Sequence, residues 1–229
     1  PRKTKTLPGG TTMNTPWTPW LEIPLADYEG HMSLTTIGQA QMVATVFAEL
    51  IGEFSPSSVA VIGCAGGNGF EHIAVETTKR VIGVDINPRY LETLSTRYAA
   101  KIPGLELYAG DIQDPDLTFA PVDFIYAALI FEYVALAPTL AKLKAVCRPR
   151  GVLAAVLQLP SAATASVSPS PFTRLQTLTP VMNLVSPADF LAATRETGFL
   201  PLAAKKIVLP SGKKFAVHIF HRPEKKNTL

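Results

Sequence analysis

The sequence predicts an α/β fold built on a doubly wound, mainly parallel sheet that closes with an antiparallel terminal hairpin. Three observations predict it. Apolar, β-branched strands alternate with helical stretches five times between residues 58 and 157. A glycine-rich turn with Gly63, Gly66, Gly67 and Gly69 follows the first strand directly, and Asp85 ends the second. The last two strands, 200–209 and 213–220, are separated only by Pro210-Ser211-Gly212, a spacing that makes an antiparallel pair.

Composition narrows the class. At 229 residues, one domain with a substantial core is the default. Charged residues at 17% against hydrophobic residues at 47% exclude a disordered chain. The net charge of +3 comes from basic residues gathered near both ends, with no central stripe, so nucleic acid is not an expected partner. Cys64 and Cys147 have no CxxC or CxxH spacing, so neither a disulfide framework nor a metal site is expected. The longest apolar run, 124–131, is stopped by Glu132 and is too short to span a bilayer. No apolar segment follows the N-terminal charges as a secretory signal would, so a cytoplasmic protein without a membrane partner is expected. The chain divides into an N-terminal tail and lid segment (1–32), a folded domain (33–222) and a basic C-terminal tail (223–229), with 1–12, ahead of Met13, set aside from the fold.

Residues 13–32 are proline-punctuated and aromatic, and read as a loop whose Trp17, Trp20 and Tyr28 pack onto the domain. Ser33 is expected to cap a helix with Ile37, Val43, Val46, Phe47, Leu50 and Ile51 on one stripe, stopped by Gly52 and Ser55-Pro56. Residues 58–62 are continuously apolar, as in a strand covered on both faces. Asn68, with Glu71 three residues on, is expected to cap a crossover helix whose period runs through Phe70, Ile73, Ala74 and Thr77. Strand 81–84 then presents Asp85 at its carboxyl end, where open α/β sheets place ligand groups. Pro88 opens a helix to about residue 100. Strand 105–108 leads to Gly110-Asp111-Ile112, strand 122–128 to a helix with Pro138 in its first turn, and 152–157 is the fifth strand. Residues 158–186, rich in Ser, Thr, Ala and Pro, are too long for a plain connection and read as a lid or binding loop. Ser186 caps a helix that Gly198 ends, and the hairpin follows.

A strand, a glycine turn and an acid at the next strand's end describe a nucleoside-cofactor site. The dinucleotide fingerprint GxGxxG fails: counted from Gly63, its second and third glycines are Ala65 and Asn68. Glu71 would also place a negative charge near a pyrophosphate. Gly63-Cys64-Ala65-Gly66-Gly67 instead resembles, with one substitution, the GxGxG turn of class I S-adenosylmethionine-dependent methyltransferases. In that family Asp85 matches the acid on the ribose hydroxyls, and Gly110-Asp111-Ile112 the pair that meets the adenine. Residues 129–134, LIFEYV, are similar to the segment beneath the methyl group in small-molecule members, and Arg148-Pro149-Arg150-Gly151 to the turn into the fifth strand.

The resemblance covers residues 30 to 222 and implies a Rossmann-like, seven-stranded sheet of order 3-2-1-4-5-7-6. It implies S-adenosylmethionine as cofactor, a small-molecule methyl acceptor, and a monomer or homodimer. Cofactor-binding positions carried over are Tyr28, Gly63, Cys64, Ala65, Gly67, Asn68, Asp85, Ile86, Asp111, Ile112 and Ala127. His31, in the lid-like segment Tyr28-Glu29-Gly30-His31-Met32, is a candidate base, and Glu132 and Tyr133 stand where the family has an acid and a histidine near the methyl group. The absence of an Asn-Pro-Pro-Tyr motif after the fourth strand, where Ala127-Ala128-Leu129 stands, argues against amino-methylating DNA and protein-glutamine enzymes. Val61, Ala65 and Tyr133 depart from the family pattern and keep open a non-catalytic nucleoside-binding protein; a nucleotide-dependent oxidoreductase ranks last, lacking both the fingerprint and a Tyr-x-x-x-Lys pair.

Overall fold

The computed structural model describes residues 18–161 and 164–224. Trp17 and the lysines at 225 and 226 therefore lie outside the described residues. Five helices, α1 (Leu25–Ser33), α2 (Gln39–Phe54), α3 (Pro88–Tyr98), α4 (Leu136–Val146) and α5 (Pro187–Thr197), surround one sheet. Its strands are β1 (Ser58–Ile62), β2 (Arg80–Asp85), β3 (Leu105–Ala109), β4 (Val122–Ala128), β5 (Cys147–Gln158), β6 (Leu200–Val208) and β7 (Lys214–His221). The order is β3-β2-β1-β4-β5-β7-β6, parallel through β5 and antiparallel at β7 and β6, as the sequence led us to expect.

Every residue of β1 is buried because helices cover both sheet faces, which is why that strand reads as unbroken apolar sequence. One face packs Val59, Val61, Phe124 and Tyr126 against Val46 and Phe47 of α2 and Leu94 of α3. The other packs Ala60, Ile62, Ile125 and Ala127 against Leu140 and Leu143 of α4 and Phe190 of α5. The Ser186 side chain accepts the Asp189 N–H as a cap of α5, and Gly198 ends that helix at φ 88. At the amino end of the sheet, Asp123 accepts hydrogen bonds from Ser57, Ser58 and Arg148, far from the carboxyl ends of the strands.

Two local expectations fail. No α-helix follows the glycine turn: only a three-residue 3-10 turn, Phe70–His72, forms there, started by Gly69 at φ 90. Four glycines and the β-branched Ile73, Val75, Thr77 and Thr78 make this a poor helix sequence, and Phe70 is drawn down onto Tyr98. The Asn68 amide, freed from capping, donates to the Ala40 carbonyl at 3.0 Å. Upstream, the supposed loop contains α1, and Ser33 ends that helix instead of starting α2, whose N-cap is Gly38 at φ 65. The short apolar positions of α1 were masked in sequence by their proline and aromatic neighbours.

Beyond the sheet's carboxyl edge lies a third, smaller core. Ile23, Val167, Leu175 and Leu178 pack with Trp20, Tyr28, Phe172 and Tyr133. The long segment after β5, with its 3-10 helix Thr173–Val181, thus forms a strap over α1 and the strand ends. Phe172 sits where any side chain on Gly30 would have to go, its ring 2.3 Å from a Cβ built there.

Candidate functional site

Three cavities open at the carboxyl ends of the parallel strands, where βα loops converge. Tyr28 and Leu129 line all three. Leu129 is held at φ 56, a left-handed conformation that turns the chain sharply off β4 between the cavities.

The first cavity, of about 160 Å³, is walled by Gly63 and Ala65 of the glycine turn, by Asp85 and Ile86, and by Asp111 and Ile112. Trp20, Tyr28, Tyr90 and Tyr133 supply aromatic faces. Asp85 is 8% exposed and held rigidly, with one carboxylate oxygen accepting the Ala65 N–H at 2.8 Å and the other the Asn87 N–H at 2.9 Å. Burial pushes its carboxyl up to about 6, against the downward pull of the Asn87, Ala65 and Ile86 N–H groups. Each carboxylate oxygen keeps acceptor capacity for a ligand hydroxyl. Asp111 accepts from the Gln113 N–H at 2.8 Å and stands beside Ile112, a carboxylate and an apolar wall suited to a nucleobase.

The second cavity lies across the glycine turn, lined by Gly63, Cys64, Ala65, Gly67 and Asn68 with Glu29, Glu71 and Arg97. Arg97 forms a two-pronged ion pair with Glu29 of α1 and donates to the Gly66 carbonyl at 3.0 Å. These groups explain two of the glycines: a Cβ on Gly66 would meet Glu29 and Arg97, and one on Gly67 the Tyr98 ring at 2.8 Å. Both acidic and basic side chains thus border the turn, although the acid often found on β1 is Val61 here. Sequence reasoning missed this pair because residues 29 and 97 meet only in the fold. Cys64 is fully buried, and burial with the nearby Asp85 pushes its thiol well up, so it is no nucleophile.

The third cavity sits under the strap, between Trp20, Tyr28, His31, Gln39, Tyr133, Gln158 and Lys213. His31 is buried, with Nδ1 2.8 Å from the Ser170 hydroxyl, and burial together with the Lys213 charge lowers its pKa. Tyr133 lines both the first and third cavities, edge-on to Trp20 at 5.0 Å. Lys213 and Gln158 were not foreseen, since a lysine in a Pro-Ser-Gly-Lys turn reads as solvated.

Two expected positions are placed elsewhere. Ala127 is buried on the opposite sheet face, packed with the α4 and α5 layer, and Ala128, one residue on, lines the first two cavities. Glu132 lines none of the three: one carboxylate oxygen accepts the Gln158 N–H at 2.7 Å and the other is buried without a partner. Burial raises its carboxyl to about 7. Its backbone carbonyl accepts the Asn183 N–H at 2.8 Å, so Glu132 joins the end of β5 to the end of the strap. His72 is partly exposed beside Glu71, and His218 packs between Phe190 and Phe220; neither lines a cavity.

The residues present fit an adenosyl cofactor bearing an amino-acid end. Asp85 and Asp111 offer acceptors at adjacent strand ends, aromatic rings close the first cavity, and charges of both signs border the second. A pyrophosphate fits poorly, because no α-helix starts at the glycine turn to direct its N–H groups at phosphate. Among the described residues, no helix is long and apolar enough to cross a membrane.

No curated protein matches the sequence. Solved structures share the fold at low identity. The N-methyltransferase NodS from Bradyrhizobium japonicum, solved with S-adenosylhomocysteine, superposes with a TM-score of 0.63 at 16% identity, covering 81% of this chain and 88% of that one. The [4+2]-cyclase SpnF gives 0.61 at 11% identity, over 78% and 81% of the two chains. A geranyl diphosphate methyltransferase in complex with GPP and sinefungin gives 0.60 at 14% identity, over 78% of each chain. The family model described as "Methyltransferase domain" matches residues 59–151, the stretch that carries β1 to β4, the glycine turn, Asp85 and Asp111. Residues 59–151 are therefore similar to a methyltransferase domain, and the whole sheet has the fold of these solved methyltransferase structures.

Proposed function

We propose that the chain methylates a small-molecule acceptor held under the strap, beside the cofactor cavity. The observation that carries the reading is the shared wall: Tyr28, Leu129 and Tyr133 line both the cavity bounded by Asp85 and Asp111 and the one bounded by His31. Substrate and cofactor would meet there.

S-adenosylmethionine supplies the methyl group already activated on a sulfonium, so the protein's task is chiefly alignment. Asp85 would accept from the ribose hydroxyls, Asp111 and the Ile112 N–H would meet the adenine, and Tyr28 would cover the cofactor. Arg97 and Glu29, with Glu71, offer opposite charges to the amino-acid end. Holding an acceptor in line is worth on the order of 7–11 kcal/mol. His31, kept neutral by burial, is the group placed to take a proton from an oxygen or nitrogen acceptor. Glu132 acts at a distance by fixing Gln158 and the strap.

Small-molecule size for the acceptor is supported by the third cavity's volume of about 50 Å³. The cyclase among the structural neighbours shows that this fold also hosts other chemistry. Calorimetric titration with S-adenosylmethionine and S-adenosylhomocysteine, with Asp85→Ala as control, tests the cofactor. Micromolar binding lost in the variant is expected, followed by conversion to S-adenosylhomocysteine only when an acceptor is present. Folded protein that binds neither compound would end this reading.

A further inference from the structure

Lys213 is 2% exposed, yet among the described residues no carboxylate lies within ion-pair distance of it. It sits at the turn between β6 and β7 and reaches under the strap into the third cavity. Its ammonium donates to the Ser166 carbonyl at 2.8 Å and, over a long 3.4 Å, to the Gln158 side-chain oxygen. That leaves one of its three donors for another partner.

The other groups around it are neutral. Gln39 and Gln158 are amides, and Ser166 offers a carbonyl. His31 titrates low because of burial and the Lys213 charge itself. Tyr28 and Tyr133 are held protonated by burial. Glu132, the nearest buried acid in sequence to this region, spends one oxygen on the Gln158 backbone N–H and makes no ion pair with Lys213. Burial brings Lys213 down only to about 8, so it stays mostly charged at neutral pH. A buried charge without a counter-charge costs several kcal/mol and calls for a partner. The cavity beside it, about 50 Å³, has the volume of one to two liquid waters at about 30 Å³ each. That is room for a carboxylate group the size of acetate.

We propose that this cavity takes the carboxylate of an anionic methyl acceptor, with the Lys213 ammonium as its counter-charge and the Gln39 amide as a neutral hydrogen-bond donor. The inference rests on the methyltransferase reading above and names the substrate class for it. An uncharged acceptor would leave the ammonium unpaired, so selectivity for anions is built into the pocket floor.

The test compares acetate with its neutral isostere acetamide, by calorimetric titration into the full chain saturated with S-adenosylhomocysteine. Acetate is expected to bind at least tenfold tighter than acetamide. In Lys213→Gln that preference should fall below twofold while S-adenosylhomocysteine affinity stays unchanged, which also reports that the variant is folded. Lys213→Met, uncharged and of similar length, serves if the first variant melts early. Equal affinity for the two probes, a preference that survives both substitutions, or no acetate binding to protein that binds S-adenosylhomocysteine would overturn the proposal. Repeating the acetate titration without S-adenosylhomocysteine keeps this result separate from any failure of the cofactor reading.

Discussion

The Asp85 carboxylate accepts the Ala65 N–H at 2.8 Å, and that bond ties the carboxyl end of β2 to the glycine turn after β1. A single acid thus shapes the turn and faces the cavity assigned to the ribose. Buried as it is, it titrates near 6, close enough to neutrality for its protonation to be felt in binding.

Affinity for S-adenosylhomocysteine should therefore be flat between pH 7 and 8 and fall about tenfold per pH unit below 6, as the carboxylate takes up a proton and loses acceptor strength. Asp85→Ala should remove that slope and weaken binding on the order of a hundredfold, equal to two charge-assisted hydrogen bonds at about 1.5 kcal/mol each. Calorimetry across pH checks both. An unchanged slope in the variant would assign the proton to another group.

Glu132 gives a stability prediction of opposite sense to ordinary acid denaturation. Its carboxyl holds a proton up to about 7 in the folded state, against a reference value of 4.5. Between those values the native state binds more protons than the unfolded one, so this group's contribution falls as pH rises through the window. Glu132→Gln keeps an acceptor for the Gln158 N–H and carries no charge. It should melt several degrees higher than wild type at pH 8, a gain of about 3 kcal/mol at most, and match it near pH 4. Thermal melts at the two pH values decide it; a lower melting temperature at pH 8 would contradict the buried, half-partnered carboxyl.

Gly30 and Phe172 join α1 to the strap. A Cβ on Gly30 would fall 2.3 Å from the ring, so Gly30→Ala must displace Phe172 while leaving the sheet untouched. Acceptor turnover should drop at least tenfold, S-adenosylhomocysteine affinity should change less than threefold, and proteolysis within 158–172 should quicken. Unaltered cleavage would mean that the strap is held elsewhere.

Ala65 occupies φ 46, where an L-residue carries roughly 1–2 kcal/mol of strain. Ala65→Gly should hold or raise the melting temperature, the relieved strain being offset by added freedom in the unfolded chain. Ala65→Val, β-branched at a left-handed position, should cost about 2 kcal/mol or more and weaken cofactor binding. Equal melting of the two variants would argue that the turn is softer than its hydrogen bond to Asp85 implies.

How much was legible follows from how local each signal is. Strand β4 could be placed at residues 122–128 from sequence, because Pro121 precedes it and burial on both faces makes it apolar from Phe124 onward. Asp85 could be placed at a strand end because the apolar run 81–84 leads into it, and Asp111 because Gly110 breaks the strand before it. The segment after the glycine turn misled, since a capping-box spacing was present but the helix propensity behind it was not. Ala127 and Ala128 are a single residue apart, and only the observed register says which one faces the cavity.

The sequence by itself determined the alternation of strands and helices, the glycine turn and the acids that flank it, because hydrophobic period and turn chemistry act over a few residues, whereas the strand order was implied only by the family resemblance. The tertiary structure decided what those features enclose. Glu29 meets Arg97, Phe172 covers Gly30, and Lys213 is buried under a strap that begins some fifty residues before it in the chain, roughly the span of a small domain. Such contacts are fixed by how covered faces pack together, and packing at long range leaves no period in the sequence to read.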